Sequence, residues 1–118
     1  MEAWVSNVAG IGQRIVGAVL SFSYAPMSIT PQKHPITAGI GPFQLTDETY
    51  KRMWISPEVT PLLITDNPNS DSTIAWVSPY AKSRVVYVQL GHGHGSWDHP
   101  SFRTIVHNAI LWSADRLK

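Results

Sequence analysis

His92 and His94 stand on either side of Gly93 in the segment Leu90-Gly-His-Gly-His-Gly-Ser-Trp-Asp-His99. In an extended backbone, side chains two residues apart point to one face, so both imidazoles can address one site. A neutral imidazole suits zinc or another transition metal. Its ordinary pKa near neutrality also makes it a general base. Two histidines fall short of a metal site, which needs a third ligand. Asp98 and His99 follow directly, and Asp47 and Glu48 offer more distant carboxylates. Two chemistries are therefore expected of the loop: proton transfer or binding at His92, and a divalent metal on His92 and His94. The plainer alternative is that both imidazoles hydrogen-bond loop backbone. Trp97 lies beside them and can stack on a sugar ring, although tryptophan more often fills a core or an interface.

These residues need elements to place them. Arg84 to Leu90 reads as a strand whose near-continuous apolar run, Val85-Val-Tyr-Val88, suits burial on both faces of a parallel sheet. It ends in glycines at 91, 93 and 95, which allow a sharp turn or a close approach to a ligand. In open α/β sheets ligands bind beyond the carboxyl ends of strands. Pro100 suits a first helical position, with Asp98 or His99 near the cap. Phe102, Ile105, Val106, Ala109 and Ile110 then follow helical spacing, with Trp112 beside them as core, so a helix should cover the 84–90 strand.

Upstream, the apolar spacing of residues 2–20 predicts a helix over 2–10. An extended segment near 18–30 follows, which Pro26 and Pro31 confine to an edge strand or loop. His34 to Pro42 is turn-rich, and His34 itself reads as a surface or capping residue. Phe43 to Thr46 alternates like a short strand. Asp47-Glu-Thr-Tyr50 reads as a turn or a single helical turn opening at Asp47, where that carboxylate would cap. Were Asp47 and Glu48 in a strand, they would face opposite sides, so a paired-carboxylate catalyst is not supported. Residues 58–65 and 73–78 read as strands around a polar loop, and 79–83 as a hairpin connection. His107 falls on the polar side of the last helix.

The chain has 118 residues, 43% hydrophobic and 14% charged, which fits one folded domain over 1–118. With a net charge of +1 and no basic cluster, nucleic acid and anionic membrane are poor partners. The absence of cysteine removes disulfides, thiolate metal sites and cysteine catalysis. The apolar run 11–25 is too short to span a bilayer, and the Met-Glu start lacks the basic region of a secretory signal. A cytoplasmic protein is expected.

Several segments together resemble the ThuA-like (trehalose utilisation) family, within the class I glutamine amidotransferase-like, flavodoxin-like superfamily. His34-Pro-Ile-Thr-Ala-Gly-Ile40 resembles the family's His-Pro-Ile-x-x-Gly segment, and Phe43-Gln-Leu-Thr-Asp-Glu-Thr-Tyr50 its Phe-x-x-x-Asp-Glu-x-Tyr. Trp76, Tyr80-Ala-Lys-Ser-Arg-Val85 and Leu90-Gly-His92 are similar to its Trp, Tyr-Gly-Lys-Gly-Arg-Val and Leu-Gly-His run, with Ala81 and Ser83 where the family has glycine. Trp97, Pro100, Phe102 and Ile110-Leu-Trp112 match its closing helix. The resemblance covers about residues 30–115, leaves 1–30 poorly matched, and extends only to the carboxyl half of the family domain. It implies an α/β fold: a mixed sheet like the carboxyl half of a flavodoxin-like domain, with a covering C-terminal helix. It also implies a role near sugar metabolism and a ligand-facing role for Glu48 and Tyr50. A small polar ligand is then expected on His92, His94, Trp97, Glu48 and Tyr50, with His92 the candidate catalytic residue.

The residues leave catalysis open. One rival reading is a non-catalytic oligomeric interaction module from a truncated gene; another is a metal-dependent hydrolase or isomerase using His92, His94 and Asp98 or Glu48. A half sheet exposes an apolar edge, which natural proteins cover. A homo-oligomer is therefore expected, most simply a two-fold dimer whose partner strand completes the sheet.

Overall fold

A computed structural model describes residues 3–4, 14–15 and 21–118. A two-stranded pair, β1 (Ala3–Trp4) and β2 (Arg14–Ile15), stands apart from a five-stranded sheet. That sheet comprises β3 (Ser21–Pro31), β4 (Phe43–Lys51), β5 (Thr60–Thr65), β6 (Thr73–Val77) and β7 (Val86–Val88), in the order β4-β3-β5-β6-β7. Two helices close the chain, α1 (His94–Trp97) and α2 (Pro100–Ser113). The chain is α/β. Each pairing between the described strands is antiparallel, so the sheet expected to be mixed contains no parallel pair among them. The apolar run 85–88 forms a half-buried edge strand rather than a buried central one.

The helix expected over 2–10 falls mostly outside the described residues, and its one described piece, Ala3–Trp4, is strand. The extended segment near 18–30 is β3, which lies inside the sheet order despite Pro26 and Pro31. The reason is local. β3 pairs with β5 only at Ile29, Thr30 and Pro31, so over most of its length β4 is the only described strand beside it. The Pro26 carbonyl accepts from Asn67 Nδ2 (3.0 Å), away from β4. A residue's amide nitrogen and carbonyl point to the same side of a strand, so the missing N–H of Pro26 falls where no ladder bond is needed.

The larger revision is at 47–50. These residues continue β4, which runs unbroken for nine residues with Leu45, Asp47 and Thr49 buried on one face. Turn-forming residue types suggested a stop, but cross-strand pairing with 21–25 of β3 overrides that local preference. The core face of the sheet carries Met27, Ile29, Leu45, Leu63 and Ala75, packed with Ile36, Leu90, Ile105 and Ala109. Ile105 and Ala109 are the buried stripe of α2, whereas Ile110 is 65% exposed although its spacing put it on the apolar face.

His34 caps the 3-10 turn Pro35–Thr37, its Nδ1 accepting from Ile36 N (3.1 Å). Its ring packs edge-on to Trp112 at 5.1 Å. Burial, with the charge of Arg84 as a second cause, lowers the His34 pKa. His99 caps α2, Nδ1 accepting from Ser101 N, and Pro100 takes the first helical position. Trp112 is half-buried against the core, and His107 is exposed.

Candidate ligand site at the His92 loop

β4 and β7 are opposite edges of the sheet, yet the loop after β7 reaches β4. One carboxylate makes the join. Asp47 is 1% exposed, and its Oδ2 accepts from Gly91 N (2.7 Å) and from the buried Ser96 hydroxyl. Its Oδ1 accepts from His92 N (3.2 Å) and from Glu48 N (2.7 Å). A buried carboxylate is tolerable only with such a set of donors. Two glycines make the approach possible. Gly91 has φ +121, a conformation open to glycine and strained for other residues. A Cβ on Gly95 would collide with the Thr46 carbonyl oxygen. Trp97 Nε1 donates to Gly91 O (2.7 Å) and ties the far end of the loop to its start.

The neighbour of Asp47 faces the other way. Glu48 Oε2 lies 2.9 Å from His92 Nδ1 and accepts from the Tyr50 hydroxyl (2.7 Å). Two residues apart on β4, Glu48 and Tyr50 share a face, so Tyr50 supports Glu48 and Glu48 orients the imidazole. The pKa of Tyr50 is raised, first by burial and then by its bond to Glu48, which keeps the phenol a donor. An ionised carboxylate only accepts, so Nδ1 must carry the hydrogen. In the neutral ring this leaves the lone pair on Nε2. The His92 side chain is 56% exposed while that of Glu48 is 19%, so the imidazole is held from within and open without. The exposed ring of Tyr24 packs edge-on to His92 at 5.8 Å.

His94 does not join this group. Its Nδ1 lies 3.3 Å from Asp98 Oδ2 and its ring packs on Trp97 at 5.0 Å. The expected metal pair is thus divided between two carboxylates. Among the described residues no three His, Cys, Asp or Glu side chains gather so as to hold a metal ion. The arrangement does not fit the divalent metal expected on His92 and His94, nor a metal site joining them to Asp98 or Glu48. Of the expected ligand-binding residues, the structure brings together His92, Glu48 and Tyr50, places Trp97 on the same loop, and turns His94 aside.

Sequence reasoning offered Asp47 as a cap or as a carboxylate that could approach the histidines, and not as the acceptor that holds the loop backbone. Its position between Leu45 and Thr49, in an alternating strand whose core-facing member is charged, was a signal that donors must meet it inside. The comparisons with known proteins bear on the same segments. A family model described as trehalose utilisation, ThuA, matches residues 4–113. The chain belongs to the ThuA family. The match begins well before residue 30, where the motif resemblance starts. The ThuA family is one of trehalose utilisation, a sugar-related role. No curated protein and no solved structure matches the chain. No helix among the described residues is long and apolar enough to cross a membrane.

Proposed function

We propose that this ThuA-family chain binds a small polar, carbohydrate-related ligand at the rim formed by Tyr24, His92 and Trp97, with His92 Nε2 as the hydrogen-bond acceptor. The observation that carries this reading is the Tyr50–Glu48–His92 chain, which fixes one imidazole nitrogen and leaves the other facing outward. Exposed aromatic rings beside it suit stacking on a sugar ring. A bound hydroxyl within reach of Nε2 would donate a hydrogen bond to it, and Glu48 would hold the ring from Nδ1 in the orientation that accepts it. The test is an amide-resonance titration with trehalose and glucose. Saturable shifts at 24, 48 and 91–97, abolished by His92→Ala, support the reading. Shifts that survive His92→Ala, or none in that region, sink it.

We further infer that the sheet corresponds to the carboxyl half of a flavodoxin-like domain, that the chain is cytoplasmic, and that it assembles as a homo-oligomer through β7. The observation favouring assembly is the state of that edge. Val85 O accepts from Ser78 N, just past β6, and Gln89 N donates to Ile74 O of β6, so the amides and carbonyls of Val86 and Val88 point outward, where no described strand lies. Light scattering should give about twice the 13.1 kDa of one chain, and the Val86 and Val88 amides should exchange slowly. A monomer whose β7 amides exchange freely would contradict this.

A further inference from the structure

Away from the His92 loop, a cleft of about 710 Å³ opens between the 78–84 connection and the last turn of α2. That volume is in the range of small-molecule sites. Ser78, Tyr80, Lys82, Ser83, Arg84 and Trp112 line it. Two observations set it apart from an ordinary surface hollow. Ser78 is only 4% exposed, and its hydroxyl has no hydrogen-bond partner among the described residues. Buried hydroxyls are normally paired, so an orphaned one lining a cleft points to a partner that enters the cleft.

The second observation is charge. Arg84 is fixed in place: its Nη1 donates to Trp112 O (3.0 Å), its Nη2 lies 3.2 Å from Asp115 Oδ1, and its guanidinium stands 4.6 Å over the Trp112 ring. Lys82 is exposed and takes part in none of the ion pairs of the described residues. Two cations therefore face one carboxylate, Asp115, which leaves a net positive charge at the mouth.

We propose that this cleft is a second binding site, one that receives the oxyanion of a small molecule, a carboxylate or a phosphomonoester. Lys82 supplies the mobile charge and Arg84 the fixed one, and the Ser78 hydroxyl, closed to solvent in this structure, becomes a donor to the oxyanion once the ligand displaces the side chains over it. Tyr80 and Ser83 offer hydroxyls to the uncharged part of the same molecule. The site is independent of the His92 reading, because its residues come from different segments and report separately.

Amide-resonance titrations of the full chain with inorganic phosphate, glucose 6-phosphate, gluconate and uncharged glucose test it. Phosphate should shift resonances at 78–84 and 112–115 saturably, and added salt should weaken the effect. A stronger response to glucose 6-phosphate than to phosphate would assign the ligand to sugar phosphates, and a preference for gluconate would assign it to carboxylates. Lys82→Gln, at an exposed position that leaves the fold intact, should weaken binding about tenfold, the weight of one charge-assisted hydrogen bond. Ser78→Ala should weaken it severalfold. No saturable shift with any of the three anions, an equal response to glucose, or anion binding unchanged in Lys82→Gln would overturn the proposal.

Discussion

The two edges of the sheet are treated in opposite ways. The outer side of β4 is consumed from within the chain: Thr46 O lies under Gly95, Glu48 N donates to Asp47, and Tyr50 O accepts from Asp71 N (2.7 Å). Along the outer side of β7 no described strand lies, so among the described residues its outward amides and carbonyls have no ladder. The difference teaches where the candidate site comes from. A strand edge is a row of donors and acceptors that must be satisfied or covered. At β4 the cover is the glycine loop itself, so closing the edge and positioning His92 are one event.

Substitutions at the closed edge should break it in graded steps. Asp47→Ala leaves the Gly91, His92 and Ser96 donors without their acceptor, at about 1–3 kcal/mol for each buried orphan. We expect a loss of roughly 3–5 kcal/mol in denaturant unfolding, with the 91–97 amides losing protection first. A loss under about 1 kcal/mol would mean that the loop closes without Asp47. Gly95→Ala forces a methyl group against the Thr46 carbonyl and should cost about 1–3 kcal/mol by the same measurement. Because this clash does not touch the Asp47 carboxylate, it separates crowding at the edge from loss of the hydrogen bonds.

Smaller changes sharpen the contrast between holding the loop and holding the imidazole. Tyr50→Phe removes one hydrogen bond to Glu48 and should cost about 1 kcal/mol. It should also broaden the orientation of the His92 ring, read from side-chain nitrogen resonances, while the Gly91 amide stays in place. A shift of the Gly91 amide as large as that of His92 would merge the two roles.

The smallest expected effect concerns His34. Its folded pKa lies below the ordinary 6.5, so the unfolded chain binds the proton more readily. Stability from this group is complete above pH 6.5 and declines as pH falls through the lowered folded value. His34→Asn should therefore lose less stability than the unaltered chain when urea unfolding is repeated at falling pH below 6.5. Equal losses would show that other groups carry the pH dependence.

Much of this architecture was legible in the residues. β5, β6 and α2 announce themselves through apolar periods bounded by turn formers. His34 read as a surface or capping residue and His99 shared the cap expectation with Asp98, and the structure makes both histidines caps ahead of a proline. What stayed hidden was nonlocal. Nothing near Asp47 in the sequence states that its partners lie 44 to 49 residues on, and Asp-Glu-Thr imitates a turn when the pairing strand is out of view. Pro26 suggested an edge because its open side is set by where β5 begins to pair, which the local sequence does not contain. Glu48 and Tyr50 were found through family resemblance and His92 through its glycine loop, but only the folded contacts show that one acid fixes the loop while its neighbour orients the ring.

The protonation of the His92 ring tests this division of labour most directly. Long-range nitrogen–proton NMR on the unaltered chain, at a pH where the ring is neutral, distinguishes the two tautomers. The hydrogen should reside on Nδ1, donated to Glu48, with Nε2 unprotonated, and Glu48→Ala should remove that preference. A neutral ring with its hydrogen on Nε2, or a preference for Nδ1 that persists in Glu48→Ala, would contradict the account.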